Sequence, residues 1–213
     1  MPPGQRDLPR RIKAGVTVVG LLVSTMLMWQ STSAVFTGTT SNPSNSWAAG
    51  TVILVDDDGG NSPTTGTAMF STAVSTANLM PGNTGTHCIR VTYNGSFTSP
   101  PAVKVYASGL TGTGLGTYLD LTIEEDTNGQ GTYGACGSFA GTYIYQSGTP
   151  AGSTGTLSYL AANMTDYSTG VGTWTPTAAG QAKTYRFRYT VQNNDLAQGL
   201  TATLNFVWEA HSA

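Results

Sequence analysis

The chain has 213 residues and a formal net charge of −2 at pH 7, and only 9% of its residues are charged, compared with about 25% in an average soluble protein. It has no basic cluster after residue 13, which argues against nucleic-acid binding, because that function requires a positively charged surface. Its hydrophobic fraction of 39% is enough for a core and excludes a disordered polar tract.

The first 34 residues are typical of a secretory leader. Four basic residues precede an uncharged apolar run at 14–29, and the segment ends in the small residues Thr32, Ser33 and Ala34. Signal peptidase favours such an ending, so we predict a signal-peptide helix at residues 1–34 and cleavage after Ala34. An uncleaved membrane anchor is the alternative, although a membrane span needs about 20 apolar residues. The protein is therefore expected to be secreted or at the cell surface, and free of the membrane after cleavage.

Cleavage would leave an acidic chain. Four of the nine basic residues and one of the eleven acidic residues lie in the leader, so the remainder has five basic and ten acidic residues and a formal charge of −5. Such a chain is not expected to bind nucleic acid or anionic membranes through charge.

Short strand-like runs separated by turn residues recur through the rest of the chain. One short helix is predicted at residues 157–167. No alternation of strands and helices suggests a parallel sheet, so the sequence predicts an all-β fold, an antiparallel β-sandwich or jelly-roll-like domain at 47–213 after an extended segment and linker at 35–46. The predicted strands are residues 34–37, 47–55, 67–74, 86–93, 102–107, 118–123, 143–146, 184–192 and 201–209.

The last two predicted strands show the clearest alternation of apolar and polar residues. Their short connection suggests that they are antiparallel neighbours, although the eight residues between them leave room for a longer loop. The apolar faces comprise Tyr185, Phe187, Tyr189 and Val191 on the first strand and Ala202, Leu204, Phe206 and Trp208 on the second.

Cys88 and Cys136 are the only two cysteines. In an oxidising compartment an even pair favours a disulfide, which we predict. Free thiols are an alternative. A catalytic cysteine is disfavoured, because His87 merely precedes Cys88 and neighbours on one strand point to opposite faces.

Five short motifs follow one another along the chain: AVFT at 34–37, NSWAAGTV at 45–52, LMPGNTGT at 79–86, QGLTAT at 198–203 and FVWEA at 206–210. Together they resemble the TasA/camelysin family of exported bacterial biofilm-matrix proteins, and the two closing motifs resemble the ends of its actinobacterial members. The resemblance covers the leader, residues 34–107 and residues 184–210, whereas the middle departs from fibre-forming members in its Gly and Thr content and its cysteine pair.

The resemblance implies an exported, self-associating protein whose N-terminal strand can complete the sheet of the next subunit. Physically, an open sandwich has edge strands with unpaired backbone groups, and an extended segment can pair with them. After cleavage the free N-terminus would supply such a donor strand, although the same segment could pair within its own subunit or fray. The candidate donor residues are Val35, Phe36, Thr37, Gly38, Thr39 and Thr40.

Two runs of carboxylates are the candidates for a metal site. Asp56, Asp57 and Asp58 could form a weak calcium site, because calcium takes oxygen ligands, but the EF-hand spacing is absent. The second run is residues 124–126 (EED), and for both runs solvated charge at a strand end is the expectation and a weak calcium site the alternative. No other cofactor is predicted.

Three functional hypotheses remain. The first is a non-catalytic structural subunit of an extracellular fibre or matrix. The second is a monomeric module that binds cell-wall components or a partner protein through aromatic side chains. The third is a metallopeptidase, because camelysin-like relatives are commonly labelled as such. The sequence disfavours this activity, since the chain has no His-Glu-x-x-His motif. A metallopeptidase site would have to use His87 or His211. The candidate aromatic residues are Tyr106, Tyr143, Tyr145, Trp174 and Tyr185.

Overall fold

The fold was obtained as a computed structural model, which describes residues 37–42, 45–46, 52–58, 68–70, 78–96 and 102–211. All of them lie in the compact unit of residues 36–213. The predicted signal peptide, Val35 and Phe36 lie outside the described residues. Within the described residues, no helix is long and apolar enough to cross a membrane.

The predicted all-β class is confirmed, and the strands form two antiparallel sheets. The four-stranded sheet has the order β2-β1-β9-β5, and the five-stranded sheet has the order β3-β4-β8-β6-β7. The strands are β1 (Thr37–Asn42), β2 (Asn45–Ser46), β3 (Leu54–Asp56), β4 (Thr84–Tyr93), β5 (Lys104–Gly112), β6 (Leu119–Asp126), β7 (Gly141–Tyr145), β8 (Gln181–Val191) and β9 (Ala202–His211).

The two sheets pack through aromatic side chains of β8 and β9. The ring centroid of Phe187 lies 4.6 Å from that of Phe206 and 5.9 Å from that of Trp208, and Tyr185 lies 5.8 Å from Trp208. Tyr185, Phe187 and Trp208 are fully buried. Aromatic side chains of this kind contribute a large part of a core's burial energy, and truncating one typically costs about 3–5 kcal/mol.

This packing corrects the prediction that the last two strands are neighbours in one sheet. β8 pairs with β4 and β6, whereas β9 pairs with β1 and β5. The predicted alternation itself is right, because both apolar faces point inwards. The connection contains a 3-10 turn at Asp195–Ala197, and it carries the chain from one sheet to the other, so the two faces oppose each other across the core.

Two further predictions need correction. The predicted strand at 67–74 is not formed in its described residues, 68–70, where Met69 is buried and Phe70 packs against the core. The predicted helix begins at Leu157 but ends at Asn163. The side chain of Thr156 caps its first turn by accepting a hydrogen bond from the Tyr159 N–H.

After the helix, residues 164–174 run along the outer edge of β5, and we call them the edge strap. Val105 exchanges two backbone hydrogen bonds with Val171, of 2.6 and 2.8 Å, and the Val103 N–H donates to Trp174 O at 2.7 Å. Gly172 has φ +134°, and a Cβ there would lie 2.5 Å from Val103 O. The edge strap thus occupies backbone groups that would otherwise be open to another strand.

The predicted disulfide is confirmed. It joins Cys88 on β4 to Cys136 in the loop of residues 127–140. The Gly134 N–H also donates to Cys88 O at 2.9 Å. The loop is therefore fixed to β4 by both a covalent bond and a backbone hydrogen bond.

We expect the double substitution Cys88→Ser with Cys136→Ser to lower the free energy of unfolding by up to about 4 kcal/mol, because the bridge closes a loop of 48 positions in the unfolded chain. Urea denaturation of both proteins measures the difference. Reducing the wild-type protein should give a similar loss, and an unchanged midpoint in both experiments would show that the bridge does not stabilise the fold.

Candidate functional site

The predicted donor segment lies partly in β1, which pairs with β9 of the same chain. Six residue pairs form this β1–β9 seam, from Thr37 opposite His211 to Asn42 opposite Phe206. The other side of β1 pairs with β2. Thr37, Gly38, Thr39 and Thr40 therefore occupy an intramolecular position, which is one of the two arrangements that the sequence left open.

A polar cluster lies at the end of the β1–β9 seam, where Glu209 is opposite both Thr39 of β1 and Lys104 of β5. The Tyr106 hydroxyl donates to Glu209 Oε2 at 2.6 Å, and His211 Nε2 lies 2.5 Å from Glu209 Oε1. Burial and the bond to the Glu209 carboxylate raise the pKa of Tyr106. The cluster joins β9 to β5 through a carboxylate and a phenol.

The edge strap reaches the same cluster. The ring of Tyr167 stacks on that of His211, with centroids 3.8 Å apart, and its hydroxyl donates to Ala102 O at 3.0 Å. Sequence reasoning did not identify this cluster, although the alternation of β9 places Glu209 and His211 on one face. The missing information was the position of Tyr106 and Tyr167, which come from distant parts of the chain.

The acidic run at 124–126 corrects the prediction of solvated charge. β6 continues through these residues, and Glu124, Glu125 and Asp126 are only 2–4% exposed. Glu124 accepts two hydrogen bonds from Arg186 of β8, at 3.0 and 2.6 Å. The Arg186 guanidinium also lies 4.3 Å from the ring centre of Phe139. The cation on the adjacent strand explains why Glu124 can be buried.

The other two acids hold neighbouring segments to the end of β6. Glu125 accepts bonds from the Thr173 N–H at 2.8 Å, the Thr173 hydroxyl at 2.5 Å and the Trp174 N–H at 3.3 Å. Asp126 accepts from the Thr184 N–H at 3.1 Å. Glu125 therefore anchors the edge strap, and all three carboxylates serve as structural acceptors.

The three aspartates proposed for calcium adopt different environments. Asp56 ends β3, and Asp58 is 2% exposed. Asp57 uses both oxygens as acceptors, from the Arg90 N–H at 2.7 Å and from the Tyr133 N–H at 2.8 Å. Its carboxylate thereby holds the loop of residues 127–140 against β4.

His87 lies in an aromatic environment at the side of β4. Its ring makes edge contacts with Phe70, at 5.7 Å between centroids, and with Tyr133, at 4.6 Å. Burial lowers the pKa of His87, and the charge of Asp57 offsets part of that effect. Within the described residues, no three His, Cys, Asp or Glu side chains form a group suited to a metal ion.

The candidate aromatic residues do not form one exposed stripe. Tyr145 and Tyr185 are fully buried, Trp174 and Tyr106 are half-buried, and Tyr143 is 41% exposed. A hollow of about 180 Å³ at the end of β5, lined partly by Thr111, Ser158 and Thr201, is smaller than the roughly 300–1,000 Å³ of typical small-molecule sites.

We expect Glu124→Ala to lower the free energy of unfolding by about 3–5 kcal/mol, because it leaves the guanidinium of Arg186 without its buried partner. Urea denaturation gives the value. The matched control is Asp195→Ala, which removes an exposed carboxylate and should change stability by less than about 0.5 kcal/mol. Equal effects of the two substitutions would contradict the structural role assigned to Glu124.

We expect stability to fall as the pH is lowered through and below the ordinary pKa of histidine, about 6.5. The folded state keeps His87 neutral at pH values where the unfolded chain takes up a proton, so its contribution is complete above pH 6.5 and is lost in acid. Urea midpoints at pH 7.5 and 5.0 measure this, and His87→Phe should reduce the difference. If wild type and His87→Phe lose the same stability, the loss comes from other groups.

No protein-family model and no curated protein matched this chain. The resemblance to the TasA/camelysin family therefore rests on the sequence motifs alone.

Proposed function

We propose that this chain is an exported, non-catalytic structural protein, a subunit of an extracellular or cell-surface fibre or matrix that assembles by β-strand addition. The observation that carries the proposal is the β1–β9 seam, in which the most N-terminal described strand supplies six consecutive residue pairs. Each subunit would donate β1 to the next and receive β1 from the previous one.

The exchange is feasible because it conserves the backbone hydrogen bonds. A β1 strand from a second copy has the same sequence and can adopt the same register on β9 as the subunit's own β1. Exchange of an identical element is a known low-energy route to oligomers, and a head-to-tail exchange that does not close into a ring produces a filament.

Export is supported by two features of the chain. The sequence predicts a leader that ends at Ala34, so cleavage would leave two residues, Val35 and Phe36, before β1. The disulfide between Cys88 and Cys136 is compatible with an oxidising compartment outside the cytoplasm.

The polar clusters fit a structural role. The carboxylates of Asp57, Glu124 and Glu125 accept hydrogen bonds that hold a loop, a strand and the edge strap. No observation in the described residues specifically favours the wall-binding module or the metallopeptidase over this role.

We expect residues 35–213 to form filaments visible by electron microscopy, and deletion of residues 35–40 to prevent them, because the deletion removes four of the six β1 residues that pair with β9. A peptide of residues 35–46 should bind the deleted protein in a 1:1 ratio, as measured by fluorescence anisotropy. A scrambled peptide and the undeleted protein are the matched controls. Filaments from the deleted protein, or equal binding of both peptides, would refute assembly through β1.

A further inference from the structure

The edge of the five-stranded sheet formed by β7 is a second candidate for contact between molecules. Among the described residues, β7 pairs only with β6, and its other edge is the end of the sheet. Its five residues make it longer than the other two edge strands that lack a strap, β3 with three residues and β2 with two. On β5, the edge strap already bonds to Val105 and Ala107, and the helix Leu157–Asn163 packs against the same strand.

The β7 edge has no charged or proline residue to oppose pairing. Exposed edge strands are commonly protected by Lys or Pro, by inward-pointing charges or by β-bulges. Gly141–Tyr145 contains no Lys, Pro or charge, and its one irregularity is a register shift with β6 at Ile144, which leaves Gly141–Tyr143 as the regular part of the edge. Thr142 and Tyr143 are exposed, and Tyr143 is 41% accessible. Threonine, tyrosine and isoleucine are also among the residues that favour strands.

The charge distribution indicates which partner this edge can accept. No Asp, Glu, Lys, Arg or His occurs between Asp126 and Asp166, and we call residues 127–165 the uncharged segment. It contains β7 and the loops on both sides of it. On the adjacent strands, Glu124 and Arg186 neutralise each other.

Two copies of an acidic chain repel each other over most of their surfaces. That repulsion is weakest where both copies present the uncharged segment. A charged partner, in contrast, would have no side chain of opposite charge to bind in this segment. A strand can also pair antiparallel with the same strand of a second copy around a two-fold axis, since an isologous interface uses the same patch on both copies.

We propose that a second copy of the chain docks on β7, so that two β7 strands pair antiparallel and two five-stranded sheets become one continuous sheet. With the two-fold axis at Tyr143, Tyr143 faces Tyr143 of the other copy and Thr142 faces Ile144. This interface is on a different sheet from the β1–β9 seam and does not depend on strand exchange.

Substitutions of opposite charge at Tyr143 test this geometry. Tyr143→Lys and Tyr143→Glu each place like charges opposite each other in a homodimer, which destabilises a strand pair, and each should weaken dimerisation about tenfold or more. An equimolar mixture should restore dimers, because Lys then faces Glu. If net charge alone governed dimerisation, Tyr143→Lys would strengthen it, because the added positive charge reduces the repulsion between two acidic chains.

Sedimentation velocity of residues 35–213 resolves monomers, dimers and filaments as separate species. A five-residue edge is expected to bury less than the roughly 1,200 Å² of standard interfaces, so measurements should extend to about 1 mM protein. Val55→Lys and Val55→Glu are the matched controls, because Val55 is 43% exposed on the β3 edge of the same sheet. Both controls should dimerise like the wild type.

The inference is overturned if the wild type shows no dimer at any concentration, if the Val55 variants lose dimers as the Tyr143 variants do, or if the mixture of Tyr143 variants fails to restore them. Deletion of residues 35–40 should remove the filament species and leave the dimer. For the undeleted protein, residues 35–213, dimers without filaments would count against the proposed function alone, whereas filaments without dimers would count against the β7 interface alone.

Discussion

The fold depends on the contact between the aromatic faces of β8 and β9. Phe187 meets Phe206 and Trp208 in the middle of the sandwich, and this contact joins two sheets between which the described strands form no backbone ladder. It also sets the polar faces, because once Trp208 and Ala210 are buried in the core, Glu209 and His211 must lie on the other face of β9. The contacts of Glu209 with Tyr106 and of His211 with Tyr167 are a direct consequence of that register.

The sequence predicted the features that depend on local pattern. Alternation identified the inward faces of β8 and β9, because side chains of a strand alternate with period two. The disulfide followed from the number of cysteines and the predicted export. The fold class followed from frequent short strands and the near absence of helical periodicity.

Features that depend on distant partners were not predictable in this way. The burial of Glu124 depends on Arg186, 62 positions along the chain, and an acidic run without a visible partner resembles a solvated loop. The placement of β9 in the other sheet depends on β1, which begins more than 160 residues earlier. Alternation shows which face of a strand is buried but does not identify the strand beside it.

The edge strap closes part of the outer edge of β5, the terminal strand of its sheet, and Gly172 lies at the point of closest approach. Any side chain at Gly172 would meet the carbonyl of Val103 and would also have to adopt a backbone conformation that favours glycine. A side chain at this position would therefore push the strap away from Val103 and weaken the backbone bonds that close this part of the edge. A glycine in the strap thus helps to keep part of a sheet edge closed to unspecific pairing with strands of other molecules.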